Sequence, residues 1–482
     1  MGPRFRGNDE LWGAAPMTPL WTAFDIAAAV DGEVHGAFDA NGVAFDSREV
    51  GPGDLFIALK GEATDGHRFL DRAFAAGGAG AIVSDACSGP HVRVEDTADS
   101  LIALGIAARK RMKGKVIGVT GSVGKTGTKE ALFACLDRGF RGGVHRSVKS
   151  YNNHTGVPLS LARMPADSRI GIFEMGMNHA GELAALTRLV RPHVAIVTAI
   201  APAHSAYFAN EEAIADAKGE IFEGLEPGGI AILPEDSPHR DRLIAAARPY
   251  ASKIVTFGTS EDADVHVQDV VPLDNGTLVS LILPDRELTF TIAAPGQHWV
   301  SNAMAVIAAV WAVGGDLAAA GLAFAEMEGL AGRGLRSRVP VRDGEALLID
   351  ESYNANPVSM AATIRMLGEQ KAVRKVAILG EMRELGVRSP EYHADLAGPL
   401  RAAGVDFALL VGSEMGPLAN ALEGRIDFAH VPDAEAAIAA LPGAIAPGDA
   451  ILIKGSNAIG LSRLVEQLRS GALAGGRTTC SI

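Results

Sequence analysis

The sequence predicts an α/β protein in three consecutive parts, each a sheet covered by helices. Three observations carry this. At 482 residues the chain exceeds what one ordinary hydrophobic core fills, and roughly three domains is the natural reading. Short apolar runs alternate with helical stretches along most of its length, as expected of strands buried on both faces by crossover helices. Small residues outweigh rings: 56 glycines stand beside only 5% aromatics, which suits helices lying close on parallel strands.

Met1–Pro16 carries charges and glycines but no apolar stretch, so it reads as a disordered leader rather than a signal peptide. From Met17 to Met112, helices are expected at Trp21–Val30 and Gly66–Ala76, the second stopped by Gly77-Gly78. Strands are expected at Val43–Phe45, Leu55–Leu59, Ala81–Val83 and His91–Val94. The second part, 113–332, opens on the apolar run Lys115–Val119, then a Gly-rich loop and a helix, Thr128–Leu136. Further strands are expected at Arg169–Glu174, Val194–Ala199, Gly229–Leu233 and Lys253–Phe257. Alternation over Val265–Ala293 with a turn at Asp274-Asn-Gly276 predicts a decorating hairpin, and a helix at His298–Val313 closes this part. The third part, 333–482, carries strands at Ala346–Asp350, Lys375–Leu379, Phe407–Val411 and Ala450–Lys454, a doubly wound pattern of ordinary domain size.

Composition excludes several classes. With 48% apolar and 21% charged residues the chain reads as globular. A net charge of −13 without any Lys/Arg block argues against nucleic acid, which needs clustered cations. The three cysteines, Cys87, Cys135 and Cys480, have no metal-ligand spacing and point to a reducing, cytoplasmic setting. No apolar run reaches the roughly 18–20 residues of a membrane helix.

The chemistry-bearing segment is Thr120-Gly-Ser-Val-Gly-Lys-Thr126. In a strand–glycine loop–Lys–hydroxyl–helix order, backbone amides of Gly121, Ser122, Val123 and Gly124 can close around phosphate, and the helix aims its positive end at them. Lys125 would neutralise the terminal phosphates and Thr126 place its hydroxyl on Mg²⁺. This is a P-loop with a departure: Val119 stands where the first glycine belongs, Gly121 comes later, and Gly127 offers no second hydroxyl. A bare Gly-Lys-Thr more often just starts a helix; the strand before it and the helix after it favour phosphate. Magnesium needs carboxylate oxygens nearby, and Glu174 ends a strand where such sheets bind ligands. By themselves Glu174 reads equally as a surface carboxylate and His204 as a loop histidine, while Lys218 alone reads as a solvated lysine.

Together these segments resemble the Mur ligase family, ATP-dependent amide-forming enzymes of peptidoglycan precursor synthesis, over Met17–Leu468. The resemblance is strongest to the branch that joins D-Ala-D-Ala to UDP-MurNAc-tripeptide, through Tyr151-Asn-Asn-His-Thr-Gly-Val-Pro158 and Asp350-Glu-Ser-Tyr-Asn-Ala-Asn-Pro357. It implies a small α/β UDP-binding domain, a central P-loop mononucleotide-binding domain and a C-terminal Rossmann-like domain. It implies that Ser47 and Arg48 sit near the uridine end of the sugar nucleotide, with Lys60 and Thr64 in a loop near its diphosphate. Asn152, Asn153 and His154 would face substrate. Glu174 and His204 would hold Mg²⁺, and a carbamylated Lys218 a second ion. In Gly296-Gln-His-Trp-Val-Ser-Asn302, Trp299 replaces the family's first Asn while Asn302, expected to read adenine, is kept. Arg333 would reach the terminal phosphate, Asp350 the ribose, and Tyr353 to Asn356 would border the nucleotide. Gly380-Glu-Met-Arg-Glu-Leu-Gly386 and Lys454-Gly-Ser456 fit the third domain. Asn302 and Asp350 also read as ordinary caps. ATP and small-molecule substrates, a monomer and no membrane insertion complete the expectation. Other Mur-type ligases, folylpolyglutamate synthetase, a P-loop switch ATPase and an inactive nucleotide-binding scaffold remain open. The Asp-Asn-Pro-Arg string of the diaminopimelate-adding branch is absent.

Overall fold

A computed structural model describes residues 18–61, 64–201, 207–273, 276–294, 296–327, 329 and 331–472. The chain divides into two compact units, one of Met1–Met112 with Pro158–Ala166 and one of Lys113–Val157 with Asp167–Ile482.

The first unit holds a five-stranded sheet of β1 (Glu33–His35), β2 (Gly42–Ala44), β3 (Asp54–Ile57), β4 (Gly80–Val83) and β5 (His91–Arg93). Its order is β1-β5-β4-β3-β2, parallel except for β1 against β5. Helix α1 (Ala23–Val30) starts on a Thr22–Asp25 capping box, and α2 (Thr97–Arg111) on Asp96, whose carboxylate takes the amides of Ala98 and Asp99. The helix expected over Gly66–Ala76 is instead a 3₁₀ turn, Gly66–Phe69, followed by a short α-helix, Leu70–Ala75. Asp65 takes the His67 amide, which favours the tighter turn at the start.

In the second unit the larger sheet has nine strands: β6 (Lys115–Thr120), β7 (Val144–Arg146), β8 (Ile170–Glu174), β9 (Val194–Val197), β10 (Ile230–Pro234), β11 (Lys253–Gly258), β12 (Val265–Leu273), β13 (Gly276–Leu283) and β14 (Arg286–Ile292). The order is β14-β13-β12-β11-β10-β9-β6-β8-β7. Strands β7 to β11 run parallel with β6, and β12 joins β11 in parallel before the chain doubles back through β13 and β14. The expected hairpin is therefore an extension of the sheet rather than a separate decoration; Asp274 and Asn275 of its turn lie outside the described residues. Because β6 lies between β8 and β9, the chain leaves it in one direction and crosses back over it. That is a switch point, where ligands bind beyond the strands' carboxyl ends. Helix α3 (Lys125–Phe140) follows β6, α4 (Glu211–Gly219) follows β9, and α5 (Gln297–Ala312) packs across the sheet. Ala303–Val310 of α5 are all buried, as an all-round apolar helix must be.

The second sheet of this unit has six strands: β15 (Leu335–Val341), β16 (Gly344–Glu351), β17 (Arg374–Gly380), β18 (Phe407–Val411), β19 (Asp427–Val431) and β20 (Asp449–Lys454), in the order β15-β16-β20-β17-β18-β19. All pairings are parallel except β15 with β16. Edge strands β15 and β19 escaped the apolar-run criterion because Arg336, Arg338, Asp427 and His430 interrupt them. Pro340 in β15 is tolerated at an edge. Helix α6 (Pro357–Gly368) begins on Asn356, whose side chain takes the Ser359 amide at 2.8 Å.

Candidate nucleotide site

The loop after β6 is fixed by its neighbour strand. Thr198, just past β9, donates Oγ1 to Val123 O at 2.6 Å and approaches Thr120 O at 3.2 Å. A Cβ on Gly121, whose φ is +150°, would lie 1.9 Å from that Thr198 oxygen. The displaced glycine thus has a local cause: the strand crossing from β9 leaves room for none other there.

Helix α3 starts on Gly124, with φ +88° and no side-chain cap. Its first-turn amides therefore stay available to an anion. Helices α2 and α6 spend theirs on Asp96 and Asn356. Lys125 Nζ lies across the loop and donates to Gly121 O at 2.6 Å. Burial lowers its pKa; Glu174 opposes the shift and Arg333 adds to it. Ser122 Oγ and Thr120 Oγ1 are buried without a hydrogen-bond partner.

Glu174 ends β8 opposite Val119 and is 1% exposed. Its carboxylate accepts from Thr126 Oγ1 at 2.7 Å and from Asn152 Nδ2 at 2.8 Å, and Lys129 Nζ stands 3.8 Å away. A hydroxyl and a carboxylate held together beside a phosphate loop are the hard oxygen donors magnesium takes. With the uncapped turn and the unpartnered hydroxyls, they fit a nucleotide polyphosphate and its cation.

Facing this loop across a cleft of about 590 Å³ are residues of the six-stranded half. Arg333 stacks its guanidinium 4.3 Å over the Tyr353 ring, and both border the cleft with Asn354, Asn356 and Lys454. Lys454 Nζ donates to Asn354 O at 2.8 Å and lies 3.4 Å from Glu351. Ser122 to Gly127, Asn152, Glu174 and Asn302 line the opposite side. The structure therefore brings the Lys-Thr pair, Glu174, Asn302, Arg333, Tyr353 and Asn356 to one cavity.

Other expected residues stand elsewhere. Thr120 and Gly121 form the back of the loop. Asp350 does not line the cleft: buried at 2%, its carboxylate takes the Gly332 amide at 2.9 Å, Ser352 Oγ at 2.7 Å and Arg469 at 3.2 Å. It fixes the chain ahead of Arg333 instead of reaching into the cavity. Asn153 is exposed and accepts the Gly156 amide at 2.9 Å; His154 is exposed and off the cleft. Lys218, near the end of α4, is 1% exposed, and burial plus the charge of Lys125 hold its pKa well below the ordinary lysine value. His204 lies outside the described residues.

In the first unit, Ser47 is buried and Arg48 forks onto Asp46, with contacts from 2.6 to 3.1 Å. That pairing pulls the Asp46 pKa down to about 2. Lys60 Nζ lies 3.2 Å from Asp85, and Thr64 O takes the Gly61 amide at 2.9 Å. His67 accepts the Ser84 amide at Nε2, so its Nδ1 carries the proton shared with Asp65 at 2.7 Å and the loop is clasped at its end.

Sequence reasoning missed Thr198 and Lys129; it named Lys454 without its pairing to Glu351. Lys129 had a signal, since it follows Lys125 by one helical turn on the same face.

Residues 39–139 match the Mur ligase family catalytic domain, 119–310 the Mur ligase middle domain, and 337–457 the Mur ligase glutamate ligase domain. The UDP-N-acetylmuramoyl-tripeptide–D-alanyl-D-alanine ligase of Bacillus subtilis strain 168 is 34% identical, covering 90% of this chain and 94% of its own. A MurF crystal structure from Acinetobacter baumannii superposes with a TM-score of 0.80 at 31% identity, over 95% of this chain and all of the other (100%). MurF from Thermotoga maritima in complex with ADP gives 0.72 at 27% identity, over 89% and 97%. Sequence and fold agree along nearly the whole length: the chain belongs to the Mur ligase family.

Proposed function

We propose that the protein uses ATP to join D-alanyl-D-alanine to UDP-N-acetylmuramoyl-tripeptide. The observation that carries this is the single cleft in which the Lys125–Thr126–Glu174 cluster faces Arg333 and Tyr353. Relatives named for this reaction, and one solved with ADP, support it. Residues 17–112 would take the sugar nucleotide through Ser47, Arg48, Lys60 and Thr64. Residues 113–332 would hold ATP and 333–482 close over it, with one copy of the chain carrying a complete cleft.

A carboxylate resists amide formation because hydroxide leaves poorly. In the proposed route the tripeptide's terminal carboxylate oxygen attacks the γ-phosphorus, and the bond to the bridging oxygen breaks to release ADP. The dipeptide amine then attacks the acyl carbon. The tetrahedral intermediate collapses with loss of phosphate, and the amine's proton goes to solvent. Loop amides and Lys125 hold the phosphates, and Arg333 meets charge on the transferring group. Asn302, Tyr353 and Asn356 orient the nucleotide; Asn152 braces Glu174 from the substrate side. Magnesium, held by Thr126, Glu174 and His204, would neutralise phosphate charge.

Lys218 is assigned carbamylation because only a neutral amine adds carbon dioxide, and its burial beside Lys125 favours that form. The resulting anion would hold a second magnesium. Lys218→Ala is expected to lose about 10²-fold in activity, as for other metal-supporting residues, and to regain part of it with formate or acetate. Full activity without added acid would remove the carbamate. For the reaction itself, mass spectrometry of an incubation with ATP and both substrates should show the tripeptide nucleotide gaining one dipeptide less one water. An unchanged tripeptide nucleotide alongside consumed ATP would reject the assignment.

A further inference from the structure

Gly127 and Trp299 meet where the first turn of α3 approaches the first turn of α5. A Cβ on Gly127 would touch the Trp299 ring edge at 3.5 Å, an ordinary contact, and press on Asn302 Nδ2 at 3.3 Å, so a side chain reaching past a methyl group would meet both. Trp299 is 2% exposed, borders the cleft, and leaves Nε1 without a hydrogen-bond partner. A buried indole N–H ordinarily finds an acceptor; here the ring is held by shape alone. The same approach recurs one turn earlier, where a Cβ on Gly124 would lie 2.8 Å from Asn302 Oδ1. The Asn302 amide is thus wedged between two glycines of the phosphate-loop segment, with the indole alongside.

We infer that Gly127 and Trp299 are a matched pair of positioning residues, the ring at 299 packing beside the short residue at 127 with Asn302 between the glycines, which sets Lys125 and Thr126 at a fixed distance from Asn302. This rests on the nucleotide reading of the cleft but not on the identity of the acceptor. Either residue changed alone spoils the fit. Serine at 127 crowds the indole, and asparagine at 299 leaves a gap beneath glycine. Changed together, the volume lost at 299 makes room for the volume gained at 127.

The test is ADP affinity of the full chain by calorimetry, with magnesium and without either peptide substrate. Gly127→Ser and Trp299→Asn should each weaken ADP about tenfold, and the double variant should return to within about threefold of the unsubstituted protein. Trp299→Phe, which keeps a ring in the gap, should also stay within about threefold. A double variant whose loss equals the product of the single losses would overturn the pairing. So would single variants that bind normally, or a phenylalanine variant as weak as the asparagine one. An unsubstituted protein that fails to bind ADP would instead reject the nucleotide reading.

Discussion

Replacing Lys125 with alanine is expected to slow phosphate release about 10³-fold while leaving the protein folded. The ammonium sits across the phosphate loop on the Gly121 carbonyl at 2.6 Å, so its largest contribution comes once phosphates replace that carbonyl. Its burial weakens the charged form before any nucleotide arrives. The direction of that shift has two consequences. The alkaline limb of kcat/KM, which reports the free enzyme, should fall at a pH below the ordinary lysine value of 10.5. For stability, a lysine whose folded pKa is depressed binds its proton more tightly when unfolded. Folding is therefore penalised at low pH, and stability rises with pH between the depressed value and 10.5. The alanine variant should flatten that rise in urea titrations at successive pH values, to the extent that Lys125 and not Lys218 supplies it. A rate within tenfold of the unsubstituted protein would remove Lys125 from the chemistry.

Glu174→Gln is expected to cost a comparable factor, about 10³-fold, by removing an anionic oxygen from the cation site. The shape survives: the amide oxygen can accept from Asn152 Nδ2, and the amide nitrogen can donate to Thr126 Oγ1, which turns its own proton away. Lys129, 3.8 Å from Glu174 and fully buried, keeps the nearer Glu130 carboxylate at 3.0 Å, so the loss of stability should be small beside the loss of rate. The magnesium concentration for half-maximal phosphate release should rise in this variant. An unchanged magnesium requirement would separate Glu174 from the metal, whatever the rate.

The sequence carried these residues unevenly, for physical reasons. Lys125, Thr126 and Glu174 were legible because their chemistry is local: a glycine loop between strand and helix, and a carboxylate at a strand's end. Gly121 looked anomalous until Thr198 supplied the steric cause, and Thr198 stands 78 residues in sequence from the Thr120 carbonyl it approaches. Asp350 was ambiguous because a carboxylate at the end of β16 suits a ligand and a turn equally; the fold shows its bonds to Gly332, Ser352 and Arg469. Asn356 does two jobs, bordering the cleft with its position and capping α6 with its side chain. Core strands announced themselves as apolar runs, whereas β15 and β19, each paired on one side, did not. Nothing local marks Trp299 as the partner of Gly127, since that contact joins helices about 170 residues apart in the chain.

In the proposed reaction one cleft couples ATP cleavage to amide formation. Phosphate release measured against dipeptide consumption tests it most directly. One phosphate should appear for each D-alanyl-D-alanine joined, with negligible release when either the dipeptide or the tripeptide nucleotide is left out. Phosphate released at an undiminished rate without the dipeptide would contradict it and make the protein a nucleotide hydrolase on a ligase fold.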